Sequence, residues 1–197
     1  MNLKKIIFLI ILIVVLVLGG IFLFKNRNLG EVNLPQNKEE VDVYSGYEKY
    51  SRDDWNFEIK YPKGWEQKVL EENETEFSLG LIAPQKDNSD KFSGNIIVSA
   101  FLPQSKDFNE FMDNGIKEVF LGQGISLIQN NKVSFSGHPA YLLEYLETTD
   151  FSTEFKHFHY FVSGSEKWYQ VIYTAESSSY EETLDMAKKI INSIIIK

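Results

Sequence analysis

The chain has 197 residues, of which 43% are hydrophobic and 14% aromatic, with a formal net charge of -8 at pH 7 and no cysteine. This composition is too apolar for an intrinsically disordered chain, and the missing cysteine excludes disulfides, thiolate metal ligands and lipidated cysteines. Four of the 20 basic residues flank one apolar run, so the rest of the chain is more acidic still. An acidic body repels phosphate backbones, which argues against nucleic-acid binding.

A short basic tail at residues 1–5 precedes an apolar run at residues 6–24. This run of about 19 residues contains no charged or hydrogen-bonding side chain, and as a helix it would span the roughly 30 Å hydrocarbon core of a bilayer. It does not end in the small residues of a signal-peptide cleavage site, so it predicts an uncleaved transmembrane anchor, with late cleavage as the alternative. The positive charges on the two sides of the run are balanced, so they do not determine its orientation. A long domain that follows such a segment is translocated largely regardless of charge. We therefore expect a single-pass protein of the cell membrane whose C-terminal domain lies outside the cytoplasm.

The segment after the apolar run is predicted to be a linker. Residues 25–46 mix Asn, Gly, Pro and Glu without apolar periodicity, which is typical of a flexible tether with a reach of roughly 25 Å. Residues 47–197 are enough for one independent core, so they are predicted to form a single globular domain.

The first part of this domain is predicted to consist of strands. Apolar and polar residues alternate over residues 55–61, and Pro62 and Gly64 then end the strand. A second strand is predicted at residues 77–81, and a third at residues 96–102, where nearly every residue is apolar. The third strand is therefore expected to be covered on both faces.

The middle of the domain is predicted to contain a helix and then a hairpin. Asp107 and Glu110 have the spacing of a capping box, and apolar residues follow at helical spacing to about Gly122. Two short apolar runs at residues 125–128 and 133–135 flank Asn130-Asn131, a pair suited to a tight turn. These runs are predicted to be the two strands of a small hairpin.

The last part of the domain is predicted to hold three longer strands, a second helix and a short final strand. Ser179 and Glu182 form another capping box, which opens a helix of about 14 residues. The strands are expected at residues 141–146, 155–162, 168–173 and 193–196. Uninterrupted strands with only two helices favour an α+β fold with a central antiparallel sheet, flanked by helices on both sides.

Three segments of the domain resemble the PsbP family. They are Phe57–Trp65 (FEIKYPKGW), Gly137–Ala140 (GHPA) and Tyr169–Ala175 (YQVIYTA). The three segments in this order along residues 47–196 indicate the family more specifically than any one of them alone. The resemblance implies an α/β/α sandwich. It also implies a non-enzymatic role, because the photosynthetic members are extrinsic proteins on the lumenal side of photosystem II that help retain calcium and chloride.

Two histidines form the candidate site that the sequence offers. His157 and His159 are two residues apart on a predicted strand, so both point to one face, where they could share Zn²⁺ or Cu²⁺. If a hairpin closes around Asp150, Glu144 falls roughly opposite His157 as a third ligand. The alternative is a partly covered strand whose imidazoles bind water or neighbouring side chains.

The sequence contains no motif for a catalytic nucleophile or a bound cofactor. His138 lies in a Gly-His-Pro turn, and no Gly-x-Ser-x-Gly element accompanies it. We therefore expect a tethered, non-enzymatic module outside the cytoplasm that binds or stabilises another membrane or extracytoplasmic protein. A small-ligand or metal-binding protein that uses His157 and His159 is the alternative hypothesis.

Overall fold

The computed structural model describes residues 43–85, 94–119, 124–149 and 153–197. Two helices lie within these ranges, α1 (Phe108–Val119) and α2 (Tyr180–Ile191). The strands are β1 (Tyr47–Arg52), β2 (Phe57–Pro62), β3 (Glu66–Glu72), β4 (Glu76–Ile82), β5 (Asn95–Phe101), β6 (Ile125–Phe135), β7 (His138–Thr148), β8 (Glu154–Ser163), β9 (Trp168–Glu176) and β10 (Ile195–Ile196).

The strands form a large sheet and a small one. Seven strands make the large sheet in the order β3-β4-β5-β9-β8-β7-β6, and three make the small sheet in the order β1-β2-β10. Every neighbouring pair is antiparallel. The predicted antiparallel α+β fold is therefore confirmed.

The large sheet is covered on both faces, as expected from its apolar strands. One face packs against α2 and the small sheet, with Phe77 and Val171 at the centre of the apolar cluster. The Tyr169 hydroxyl donates a hydrogen bond of 3.1 Å to the Trp55 carbonyl oxygen, which ties the two sheets together. The other face packs against α1, where Phe108 contacts Trp168 edge-on.

The hairpin predicted around Asn130-Asn131 is wrong. Residues 125–135 form one continuous strand, β6, in which the two asparagines lie opposite Leu143 and Leu142. The chain reverses later, at Ser136 and Gly137, whose φ angles are 50° and 83°. Since β7 is as long as β6, the whole of β6 finds a partner and no turn is needed within it.

The two predicted capping boxes have different outcomes. Asp107 Oδ1 accepts a 3.0 Å hydrogen bond from the Glu110 backbone N–H, which caps α1 as predicted. Ser179 also precedes its helix, but its hydroxyl donates to the Glu176 carbonyl oxygen instead of capping α2. The predicted end of α1 near Gly122 lies outside the described residues.

The predicted anchor at residues 6–24 and the linker up to residue 42 also lie outside the described residues. Within the ranges that the structure describes, no helix has both the length and the apolar character needed to cross a membrane.

Candidate functional site

His157 and His159 lie on the face of the large sheet that α1 covers. Polar side chains from neighbouring strands share this face, among them Asn95 on β5, and Gln170 and Thr174 on β9. All five side chains are buried. We call these five residues the polar layer. The sequence predicted the shared face of the two histidines but not the three residues that join them.

His157 is hydrogen-bonded on one side and close to a carboxylate on the other. Its Nδ1 lies 2.9 Å from the Thr174 hydroxyl oxygen, and its Nε2 lies 3.2 Å from Glu147 Oε2. The imidazole stacks on the Tyr145 ring with 4.5 Å between the ring centroids. Burial lowers the pKa of His157, and the nearby Glu147 carboxylate acts in the opposite direction.

His159 has fewer polar neighbours than His157. Its ring stacks on Phe161 at 4.0 Å, and its Nδ1 lies 3.5 Å from the Tyr145 hydroxyl oxygen. Its Nε2 is buried without a hydrogen-bond partner. Burial, together with the neighbouring His157, lowers the pKa of His159 to about 3, so this imidazole is neutral at physiological pH.

Two amide side chains of the polar layer also have unmet hydrogen-bonding capacity. Neither side-chain amide atom of Gln170 has a hydrogen-bond partner, and the same holds for Oδ1 of Asn95. Gln170 is close enough to His159 to act on its pKa, which it raises against the larger effect of burial. Buried polar groups in native proteins are nearly always paired, so unpaired atoms at these positions are unusual.

Glu144 does not lie where the sequence analysis placed it. In the β7–β8 pair it faces Phe158, and Tyr145 is the residue opposite His157. This shift by one residue moves Glu144 to the other face of the sheet, because side chains alternate between faces. There its carboxylate lies 2.9 Å from Lys156 Nζ. The carboxylate nearest His157 belongs instead to Glu147.

The arrangement favours hydrogen bonding over shared metal coordination. In the part of the chain that the structure describes, no three His, Asp or Glu side chains are grouped to hold one ion. The two nitrogens of His157 already face Thr174 and Glu147, which leaves His159 Nε2 as the open imidazole nitrogen. Metal binding by His157 and His159 stays a prediction.

The two edges of the large sheet differ in chemistry. The β3 edge carries four charged side chains, which discourage pairing with another strand, while a register shift occurs in both edge strands, between Val69 and Glu71 in β3 and between Leu127 and Gln129 in β6. The β6 edge carries one charge, Lys132, whose Nζ lies over the Tyr141 ring and 3.6 Å from Asp113. Among the described residues, β6 pairs only with β7. This edge was missed because residues 125–135 had been predicted to form a hairpin.

Comparison with known proteins identifies the family. A family model described as PsbP-like protein matches residues 6–196, nearly the whole chain. The chain belongs to the PsbP-like family. The resemblance of its three sequence segments to PsbP proteins is therefore confirmed. No curated protein matches this PsbP-like chain.

Solved structures share the fold of this PsbP-like protein at low sequence identity. The solution structure of cyanobacterial PsbP from Synechocystis sp. PCC 6803 has a TM-score of 0.54 at 16% identity, covering 82% of this chain and 98% of that one. LpqN of Mycobacterium tuberculosis has a TM-score of 0.53 at 15% identity, covering 72% and 83%. A Pseudomonas aeruginosa protein of unknown function has a TM-score of 0.51 at 13% identity, covering 77% and 97%. At these identities the likeness establishes the fold.

Proposed function

We propose that this PsbP-like protein is a membrane-tethered, non-enzymatic module outside the cytoplasm that binds an extended segment of another membrane or extracytoplasmic protein. The apolar run at residues 6–24 and the tether at residues 25–46 support the membrane attachment. LpqN, which shares the fold, is described as involved in cell envelope biogenesis. A role at the cell envelope agrees with an anchored domain.

The observation that carries the proposal is the open edge of β6. A strand with free backbone N–H and C=O groups can bind an extended peptide by adding it to the sheet. The bulge between Leu127 and Gln129 separates the start of β6 from a regular stretch, residues 129–135. Just before this stretch, Leu127 is 40% exposed and Ile128 is 53% exposed, which gives an apolar contact for the partner's side chains.

A hydrolytic function is the competing interpretation of the polar layer. Thr174, His157 and Glu147 have the order of a hydroxyl nucleophile, a base and an acid, with distances of 2.9 and 3.2 Å. The Thr174 residue, however, is only 9% exposed and lies within β9, packed between β5 and β8. A substrate carbonyl would have to enter the core to reach this hydroxyl, so the non-enzymatic role is favoured.

Site-specific photocrosslinking in native membranes tests the docking edge. A photoreactive residue would be placed at Asn131 on β6 of the full-length protein, and at Gln67 on β3 as the matched control, since both side chains are exposed. We expect a crosslinked partner from position 131 and none from position 67.

Lysines on the edge provide the second half of the test. With the photoreactive residue kept at position 131, Asn130→Lys with Ser134→Lys should abolish the crosslink, because charged edge residues oppose strand addition, while Gln67→Lys should leave it unchanged. Crosslinks that persist in the β6 lysine variant, or that arise only from β3, would contradict the proposed edge. Recovery of the monomer alone from all positions would remove the docking function.

A further inference from the structure

Two tyrosines and two lysines form a cluster near the start of the described domain. Lys60 Nζ lies 4.8 Å and Lys189 Nζ 5.9 Å from the centroid of the Tyr44 ring, and Lys189 Nζ also lies 4.7 Å from the centroid of the Tyr47 ring. These distances are within the range of cation–π contacts. The two rings meet edge-on with 5.4 Å between their centroids, and all four residues are partly exposed. We call Tyr44, Tyr47, Lys60 and Lys189 the basic-aromatic patch.

The patch forms where the small sheet meets the end of α2. Tyr47 on β1 and Lys60 on β2 share the outer face of the small sheet, because side chains alternate along a strand and Ile59 is the buried neighbour of Lys60. Lys189 lies in the last turn of α2, and its carbonyl oxygen accepts a 3.4 Å hydrogen bond from the Tyr44 hydroxyl. The patch is therefore held by three elements and faces solvent.

The two lysines of the patch keep their positive charge unpaired. Among the described residues, no carboxylate forms an ion pair with Lys60 or Lys189, although Glu58 and Asp185 lie nearby in the same elements. Glu58 instead binds Lys49 Nζ at 2.8 Å. The chain as a whole has a net charge of -8, so this surface is locally opposite in sign to the rest of the protein. It fits a partner of negative charge.

We propose that the basic-aromatic patch docks the domain on the anionic phospholipid headgroups of the bilayer that holds its own anchor, an inference that rests on the proposed membrane tether. Tyrosine is favoured at the headgroup level of a membrane, and lysine is attracted to anionic lipids. Val43, next to the patch in sequence, is 58% exposed, and Ile195 on the outer face of the small sheet is 47% exposed. These apolar side chains would enter the boundary between headgroups and acyl chains.

The position of the patch in the chain favours the bilayer as its partner. Val43 is the first described residue and directly precedes Tyr44, so the tether enters the domain at the patch. A tether with a reach of roughly 25 Å is shorter than the diameter of a domain of about 150 residues, which is roughly 40 Å. The tether therefore brings the surface around Tyr44 to the bilayer more often than the far side of the domain.

Fluorescence of the full-length protein in lipid vesicles tests this docking. The sequence has no cysteine, so Ser45→Cys beside the patch and Asn114→Cys on α1 each provide a single site for a nitrobenzoxadiazole label, whose emission rises and shifts to the blue when it leaves water. Both positions are exposed, and α1 covers the face of the large sheet opposite the small sheet. When phosphatidylglycerol is added to phosphatidylcholine vesicles, we expect this change at position 45 and none at position 114. Equal emission at position 45 in both kinds of vesicle, or an equal change at position 114, would overturn the proposal.

Removal of the two lysine charges connects the change in emission to the patch. Lys60→Gln with Lys189→Gln should lower the ratio of docked to undocked domains roughly five-fold for each lysine removed, and about 0.5 M NaCl should also lower it by screening. Lys106→Gln with Lys132→Gln is the matched control, since Lys106 lies just before α1 and Lys132 contacts Tyr141 in the cluster under α1. Near-ultraviolet circular dichroism would confirm that each variant is folded. An equal loss of docking in both pairs would contradict the patch, because net charge alone would then explain the binding.

Flotation of the same samples separates this proposal from that of the tether. In vesicles of phosphatidylcholine alone, the protein rises with the lipid through a density gradient if its apolar run is inserted. Failure to rise would contradict the tether and, with it, this docking. A protein that rises but whose label at position 45 does not respond to phosphatidylglycerol would contradict the patch and leave the tether intact.

Discussion

His157 and His159 are two residues apart on β8, yet their different neighbours give them different roles in the core. His157 has a polar neighbour at each ring nitrogen, while His159 stacks on Phe161 and has an open Nε2. Sequence periodicity could place both on one face, because side chains alternate along a strand. It could not reveal Gln170 and Thr174, because the periodicity of β8 does not determine the register in which β9 pairs with it. A polar residue within an otherwise apolar strand is the signal that would have found them.

Burial of His159 should make the protein sensitive to acid. The pKa of this imidazole is about 3 in the folded protein, against an ordinary value of 6.5. Between these values the unfolded chain binds more protons, so stability decreases as the pH falls from 6.5 toward 3. We expect His159→Phe to reduce this slope, by at most about 1.4 kcal/mol per pH unit. Urea unfolding at several pH values from 7 to 4 measures this dependence of the free energy of unfolding on pH.

The turn histidine provides the control for this experiment. His138 is the first residue of β7 and is only partly buried. Its replacement by glutamine also removes one histidine but leaves the buried pair intact, so the slope should match that of the wild type. An unchanged slope in His159→Phe would mean that other groups, His157 and the carboxylates, account for the acid sensitivity.

Gly164, in the connection between β8 and β9, has no room for a side chain. A Cβ at this position would lie 2.7 Å from Tyr169 Cε2 and 2.8 Å from the Lys167 carbonyl oxygen. Tyr169 is buried and hydrogen-bonded to Trp55, so it cannot move freely. We expect Gly164→Ala to destabilise the protein by about 1–3 kcal/mol, measured by chemical denaturation. Ser165→Ala, at the exposed neighbouring position, should change stability little.

At the scale of elements, the strands that could be predicted are those that bury apolar side chains. The sequences of β5 and β9 are nearly continuous apolar runs, because helices and strands cover both faces of these two strands. β3 was missed because its sequence, EQKVLEE, carries the charges of an exposed edge. Glu144 was misplaced for a different reason: the pairing of β7 with β8 depends on the length of their connection, which apolar periodicity does not determine.

The position of Asn130 and Asn131 within a strand leads to a prediction about β6. If they formed a turn, β-branched residues would be strained there, but in a strand such residues are favoured. We expect Asn131→Thr to leave the free energy of unfolding unchanged or to raise it by up to about 1 kcal/mol. Asn56 is the matched control, since its φ is 55° and Asn56→Thr should destabilise the protein. Destabilisation of similar size by both changes would argue against a continuous β6.

At the scale of the whole molecule, the described residues of the domain build an apolar core on each face of the large sheet. The two apolar clusters on the faces of the large sheet are built from residues between Trp55 and Ile196. The small sheet joins the two ends of this range, because β10 pairs with β2. We therefore expect residues 43–197, expressed without the preceding segment, to unfold in one cooperative transition. A gradual, non-cooperative melt would show that the core needs residues 1–42.

The proposed location of this domain can be tested with trypsin on intact cells. The tether offers cleavage sites at Lys25, Arg27 and Lys38, whereas many lysines of the folded domain lie within strands and helices that resist proteolysis. If the domain lies outside the cytoplasm, mild digestion should release a folded fragment that begins in the tether and retains the α2 helix. A cytoplasmic enzyme in the same cells must remain intact as the control. Protection of the domain until the cells are lysed would place it in the cytoplasm, and docking would then have to involve a cytoplasmic partner.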